Sequence, residues 1–207
     1  VPLRTVGVTN YGADLDIARS SADDIYAQVI SDLTDAYAKL PVSNGEFADR
    51  YAAQALLARV YLQQGNFASA LAAANDVLQN SGHSLASTFR GAFNNDSDSS
   101  EDIFAFQVTS QDGSNVLISH YADQPYGGRG GDIVVDTYRT LFDSSLDSRL
   151  FFFYYSSFNG GILTGKYTNE YGNVPTIRVA EMHLIRAEAN FRLGSSTGLA
   201  PLTEINA

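Results

Sequence analysis

Ala53-Gln54-Ala55-Leu56-Leu57-Ala58-Arg59-Val60-Tyr61-Leu62-Gln63-Gln64-Gly65-Asn66-Phe67-Ala68-Ser69-Ala70-Leu71-Ala72-Ala73-Ala74-Asn75-Asp76-Val77-Leu78 decides the fold class of this chain. Ala53, Leu57, Val60 and Tyr61 recur at helical spacing on one face, and Phe67, Ala70, Leu71, Ala74, Val77 and Leu78 do so on a second. Gly65-Asn66 interrupts the pattern between them. Two amphipathic helices joined by so short a turn must run antiparallel. Leu57, Tyr61, Gly65, Phe67 and Ala70 also occupy the large, turn and small positions of a tetratricopeptide unit, with Gln54 where that repeat carries Trp. The logic is steric: Ala70 is small so that neighbouring helices approach, and the two rings fill the space beside it.

Upstream, residues 1–19 lack periodicity and include the loop signal Asn10-Tyr11-Gly12. Ser21 followed by Asp24 reads as a capping box. Tyr26, Ile30, Leu33, Tyr37 and Leu40 then form one apolar face, and Pro41 stops the helix. Downstream, Pro175 suits the first turn of another helix. Ile177, Ala180, Leu184, Ala187 and Phe191 form its stripe, Glu188 and Arg192 an i,i+4 pair, and Gly194 its end. Residues Leu199 to Ile205 read as a returning partner.

Residues 81–174 are different in kind, rich in Gly, Ser, Asp and aromatics. Residues 103–108 and 151–155 read as short strands. Gly127-Gly128-Arg129-Gly130-Gly131 reads as a flexible or tightly turning loop. Asp132 precedes Ile133-Val134-Val135, which fits a short helix or a strand. The expected architecture is therefore mainly α: tetratricopeptide-like helix pairs with a long irregular insertion containing short β-strands. One domain spans 1–207, with helical repeat regions at 21–80 and 175–207 around the insertion at 81–174.

The 207 residues contain 23 acidic and 13 basic side chains, giving a formal charge of −10. A surface of that sign repels phosphate, so nucleic acid and anionic lipid are not expected partners. The hydrophobic share of 44% supports a core without staples, and there is no Cys to provide a disulfide or a thiolate. No apolar run reaches the roughly 18–20 residues of a membrane span. Both ends read as cut, so the chain is expected to be a piece of a longer protein.

Pro175-Thr176-Ile177-Arg178-Val179-Ala180-Glu181-Met182-His183-Leu184-Ile185-Arg186-Ala187-Glu188-Ala189 resembles the most recognisable stretch of the SusD/RagB family. Ala53 to Leu62, Ser100-Glu101-Asp102-Ile103-Phe104, Asp147-Ser148-Arg149, Lys166-Tyr167 and the opening Val1-Pro2-Leu3 resemble further family segments in the same order. Members are outer-membrane nutrient-binding lipoproteins of Bacteroidetes-type bacteria. The resemblance implies a surface-exposed protein that binds a glycan or oligosaccharide and delivers it to a TonB-dependent transporter. It implies no cofactor, and membrane attachment only through a lipid anchor that these residues do not carry.

Sugar recognition needs flat rings against the C–H face of a pyranose and planar polar groups for its hydroxyls. Tyr121, Tyr126 and Arg129 supply these in one loop, and Asn115 and Tyr11 (with Asn10) add to the expected ligand-binding set. Phe151 to Tyr155 reads chiefly as core, and Phe158 beside Gly160 as a secondary platform. Asn94 to Glu101 resembles a calcium loop, but Glu101 and Gln107 stand where an EF-hand needs Gly and Glu. No metal site is expected. Asp147–Arg149, Arg178, Glu181, Arg186 and Glu188 read as structural. His83, His120 and His183 are far apart and no catalytic motif occurs, so an enzyme is not expected. The alternative is a tetratricopeptide-type protein-interaction scaffold. A glycosidase, which would require two facing carboxylates, ranks third.

Overall fold

A computed structural model describes residues 2–5, 7, 17–131, 136–142 and 146–206. Helices α1 (Ala22–Lys39), α2 (Arg50–Gln63) and α3 (Phe67–Asn80) come first. The segment that follows carries β1 (Asp102–Phe106), α4 (Val116–Tyr121), α5 (Asp136–Arg139), β2 (Phe153–Ser156) and β3 (Gly161–Thr164). The chain then runs through β4 (Val174–Arg178) into α6 (Val179–Leu193) and α7 (Pro201–Ile205). The mainly α class with a strand-bearing irregular segment is the observed one. No helix among the described residues is long and apolar enough to cross a membrane.

The caps form where side-chain chemistry places them. The Ser21 hydroxyl accepts from the Asp24 N–H at 3.0 Å and donates to the Asp24 carboxylate at 2.6 Å, opening α1. Asp49 caps α2 and Asn66 caps α3. Gly65 turns the chain between these two helices at φ +71°, a left-handed conformation that costs a glycine nothing.

The core lies where α2, α3 and α6 meet. Ala52, Ala55, Ala58, Ala70, Ala73 and Ala74 let the helices approach, and Val77, Met182 and Ile185 fill the space between them. Each such large side chain contributes about 1.5–3 kcal/mol by leaving water. Gln54, standing at the Trp position of the repeat, donates to Asp76 at 3.1 Å, and Tyr37 donates to the same carboxylate at 2.8 Å. Asp76 thereby ties α1, α2 and α3 together, and its hydrogen bond raises the pKa of the Tyr37 phenol.

Strands β1 and β4 form an antiparallel ribbon that lays Ile103 and Ile177 on the helical core. Pro175 is therefore not in the first turn of a helix; it lies in β4 opposite Ala105. The outer edge of a two-stranded ribbon needs no N–H donor, so proline is tolerated there, and Val174, Thr176 and Ile177 favour extended backbone. The helix starts at Val179, whose N–H reaches the Glu101 carbonyl at 2.9 Å. The expected stripe is displaced too. Ile177 belongs to the strand and Leu184 and Phe191 are exposed; Ala187 is buried as expected, but together with Met182, Ile185 and Ala189.

The family-like charged residues hold this frame. Glu181 accepts both Arg59 Nε and Nη2 at 2.6 Å, joining α6 to α2. The buried Arg186 guanidinium donates to Glu204 of α7 at 2.7 Å and to Asn75 of α3 at 2.9 Å. Arg178 pairs with Glu101 at 3.1 Å, and Glu188 with Arg192 at 3.2 Å.

Candidate functional site

The segment between α3 and α6 is stitched by asparagines rather than by long strands. Asn94, at φ +61°, donates to the Gly165 carbonyl at 2.8 Å and accepts from the N–H groups of Thr168 and Asn169 at 2.7 and 3.2 Å. Asp96 accepts from Asn169 at 2.6 Å, and Asp98 from Gln107 and Asn173 at 2.8 and 2.7 Å. Protein donors thus hold one oxygen of each of these carboxylates. Among the described residues no three His, Asp or Glu side chains stand together as a metal site would require.

The glycine loop turns tightly. A side chain at Gly128 would strike the carbonyls of Ile118 and Ala122, and one at Gly130 would strike Asn159. Asn159 donates to the carbonyls of Arg129 and Gly130 at 2.9 and 3.0 Å, fastening the loop to the β2–β3 hairpin.

Phe151 and Phe152 are not in a strand. Asp147 accepts the Arg149 N–H at 2.9 Å and opens a 3-10 turn over Ser148–Phe152, so β2 begins only at Phe153. Arg149 Nε lies 2.9 and 3.1 Å from the two Asp147 oxygens and holds that carboxyl down at about 2. The turn separates neighbouring rings. Phe152 is 4% exposed and Phe151 67% exposed, so the aromatic run divides between core and surface.

That division opens a cleft of about 330 Å³. Tyr126, Phe151 and Tyr154 contribute rings, Arg90 a cation, and Asn94 and Thr168 polar groups. Tyr126 packs edge-on to Tyr154 with centroids 5.6 Å apart. The Tyr154 hydroxyl accepts the Asp123 N–H at 3.1 Å, and burial raises its pKa, keeping the phenol neutral. A second cavity of about 490 Å³ adjoins the first, sharing Arg90, Phe151 and Phe152 and adding the hydroxyls of Ser87, Thr88 and Ser148. No Asp or Glu lines either cavity among the described residues.

Behind the cleft, Phe89, Phe93 and Phe152 form a ring triad with centroids 5.2–5.3 Å apart. Lys166 lies over Phe89 and Phe93 at 5.7 and 5.2 Å. Burial, reinforced by the Arg178 charge, pushes the Lys166 ammonium below its ordinary pKa. Lys166 is thus part of the wall behind the cleft.

Of the five residues expected to bind ligand, Tyr126 lines this cleft. Tyr121 is half-buried and packs its ring on Tyr167 at 5.1 Å. Asn115 is buried; its oxygen caps α4 through the Leu117 N–H at 2.9 Å and its nitrogen donates to the Gly172 carbonyl at 3.0 Å. It positions the loop and has little left to offer a ligand. Arg129 is exposed on the glycine loop, outside the cleft lining. Tyr11 lies outside the described residues. Sequence reasoning missed Arg90, Phe93, Asn94 and Tyr154. The one local signal was Thr88, whose hydroxyl caps the 3-10 turn Phe89–Ala92 and presents Arg90.

A larger groove of about 770 Å³ lies between α6 and α7, lined by Leu184, Phe191, Leu202 and Ile205. Glu188 and Arg192 also line it but pair with each other at 3.2 Å, and the rest of its wall is apolar, whereas a sugar is oriented by several convergent polar groups.

No protein-family model and no curated protein matches the chain. Solved structures do. A SusD superfamily protein from Bacteroides vulgatus superposes with a TM-score of 0.79 at 23% identity, covering 92% of this chain and 47% of that one. A laminarin-binding SusD-like protein gives 0.79 at 20% identity, covering 91% and 54%. Surface glycan-binding protein A from Bacteroides uniformis gives 0.75 at 18% identity, covering 95% and 50%. The fold is that of SusD-like proteins, and the chain spans about half the length of these structures.

Proposed function

We propose that this chain is part of a SusD/RagB-family protein that captures a glycan or oligosaccharide without transforming it. The observation that carries the reading is the cleft itself: Tyr126, Phe151 and Tyr154 offer ring surface beside Arg90 and Thr168. Among the described residues no carboxylate lines it, which favours binding over hydrolysis, since a glycosidase needs an acidic pair across the bond it cleaves. The SusD-like fold, shared with laminarin-binding and surface glycan-binding proteins, supports the same reading. Within it, α1, α2, α3, α6 and α7 are the frame and the segment between α3 and α6 is the binding part of one domain. Delivery to a TonB-dependent transporter at the outer membrane, from a lipid anchor beyond these residues, completes the proposal.

The protein-interaction scaffold has one favourable observation, the apolar groove between α6 and α7. Exposed aromatics weigh against it. Among the described residues, Phe106, Tyr126, Phe151, Tyr155 and Phe158 crowd the segment between α3 and α6, while the long helices expose Phe191. Calorimetric titration against soluble neutral and acidic polysaccharides tests the choice. Binding that Tyr126→Ala weakens by about tenfold, roughly 1.4 kcal/mol, supports a glycan site at the cleft. Saccharide binding indifferent to Tyr126→Ala removes the cleft from the account, and no saccharide binding removes the glycan reading.

A further inference from the structure

Arg90 stands apart from most of the arginines that hold the fold. Arg59, Arg149, Arg178, Arg186 and Arg192 each pair with a carboxylate. Arg90 pairs with none among the described residues; its guanidinium lies 5.8 Å from the Phe152 ring centroid, and its side chain borders both cavities. The chain carries 23 acidic residues against 13 basic ones, so two adjoining cavities lined by no carboxylate among the described residues depart from the general surface. Lys166 and Arg178, over Phe93 behind the cleft at 5.2 and 4.8 Å, add to its positive side, although Arg178 is offset by Glu101.

We infer that the two cavities take an acidic oligosaccharide, with Arg90 reading the anionic group of one sugar ring while Tyr126 and Phe151 cover its neighbours. A guanidinium fork matches the two oxygens of a carboxylate or sulfate, and the rings supply the flat apolar surface a pyranose needs. Ser87, Thr88 and Ser148 line the second cavity, which also borders Arg90 and where a further sugar unit would extend. An anion approaching a chain of net charge −10 meets repulsion overall, so the uncompensated cation at the partition is what admits it. This inference rests on the glycan-binding reading above and specifies the class of glycan.

Matched pairs of probes test it. Oligogalacturonate is compared with its methyl ester, which keeps the backbone and removes the charge. A sulfated galactan oligosaccharide is compared with its desulfated form, distinguishing carboxylate from sulfate. Titration of the purified chain should show at least one acidic form binding about tenfold more tightly than its neutral twin, a preference that shrinks as salt rises. Arg90→Gln should erase the preference, weakening the acidic form about tenfold more than its neutral twin, and Arg90→Lys should keep part of it. Arg192→Gln, which removes the same charge from α6, should leave the preference intact. Neutral forms binding as tightly as acidic ones, or a preference unaffected by Arg90→Gln, would overturn the inference and leave the glycan reading standing. Failure of every saccharide, acidic and neutral, would overturn both.

Discussion

The helical frame and the segment between α3 and α6 are held by different physics. The frame is stabilised by repetition: small residues let helices meet, and a few long-range ion pairs fix their order. Arg186 and Glu204 are both buried, and with Asn75 they clamp α3, α6 and α7. The other segment has two short ribbons and relies on asparagine amides that bond backbone groups far away in sequence. Asn94 alone reaches residues 165, 168 and 169. Where a face of the periodic frame is left uncovered, as between α6 and α7, the result is a broad and largely apolar groove. Irregular backbone pinned by side chains leaves unequal gaps, and the candidate site is one of them.

This contrast has measurable consequences. Glu204→Ala should have the largest effect, about 3–5 kcal/mol in urea unfolding, because it leaves the Arg186 cation buried without an opposite charge. The double change Arg186→Met with Glu204→Met should cost less than Glu204→Ala alone. A larger cost for the double change would mean that the pair itself stabilises the frame. Asn94→Ala should come next, at about 1–3 kcal/mol, since several backbone groups lose their partner. Hydrogen exchange should then accelerate around residues 165–169 while α2 and α3 stay protected. Acceleration throughout the helices would show that the two regions unfold as one unit.

The smallest effect concerns Asp147. Arg149 holds its carboxyl at about 2, below the ordinary 3.8. Its folded form loses the proton more readily than the unfolded chain does. The stabilisation is therefore complete above about pH 4 and is lost as pH falls through about 2. Carbon-detected NMR titration should find Asp147 ionised at pH 3, and Arg149→Gln should return its pKa toward the ordinary value. An ordinary pKa in the unmodified chain would mean that this exposed pair does not persist in solution.

The same contrast governs what the sequence makes legible. Helix spacing, Ser21 and Gly65 are local signals, and they located α1, α2 and α3. Pro175 misled because its tolerance at a helix start is local, whereas its place in β4 depends on Ile103 and Phe104 some seventy residues earlier meeting Ile177. Leu184 and Phe191 misled because periodicity marks an apolar face without saying whether it is covered. The cleft was legible only at Tyr126. Arg90, Asn94, Tyr154 and Thr168 come from separate turns with no shared spacing, and the long-range hydrogen bonds of Asn94 and Tyr154 help bring those turns together. Phe151 read as core because an aromatic run suggests a strand, until Asp147 turns its start into a 3-10 segment.

The most direct test of the central claim is NMR of the chain with ring-labelled Tyr and Phe, titrated with a saccharide that binds by calorimetry. The account predicts shifts concentrated on Tyr126, Phe151 and Tyr154, with Phe67 and Phe191 unmoved. Shifts centred on Phe191, at the groove between α6 and α7, with the cleft rings silent, would contradict it.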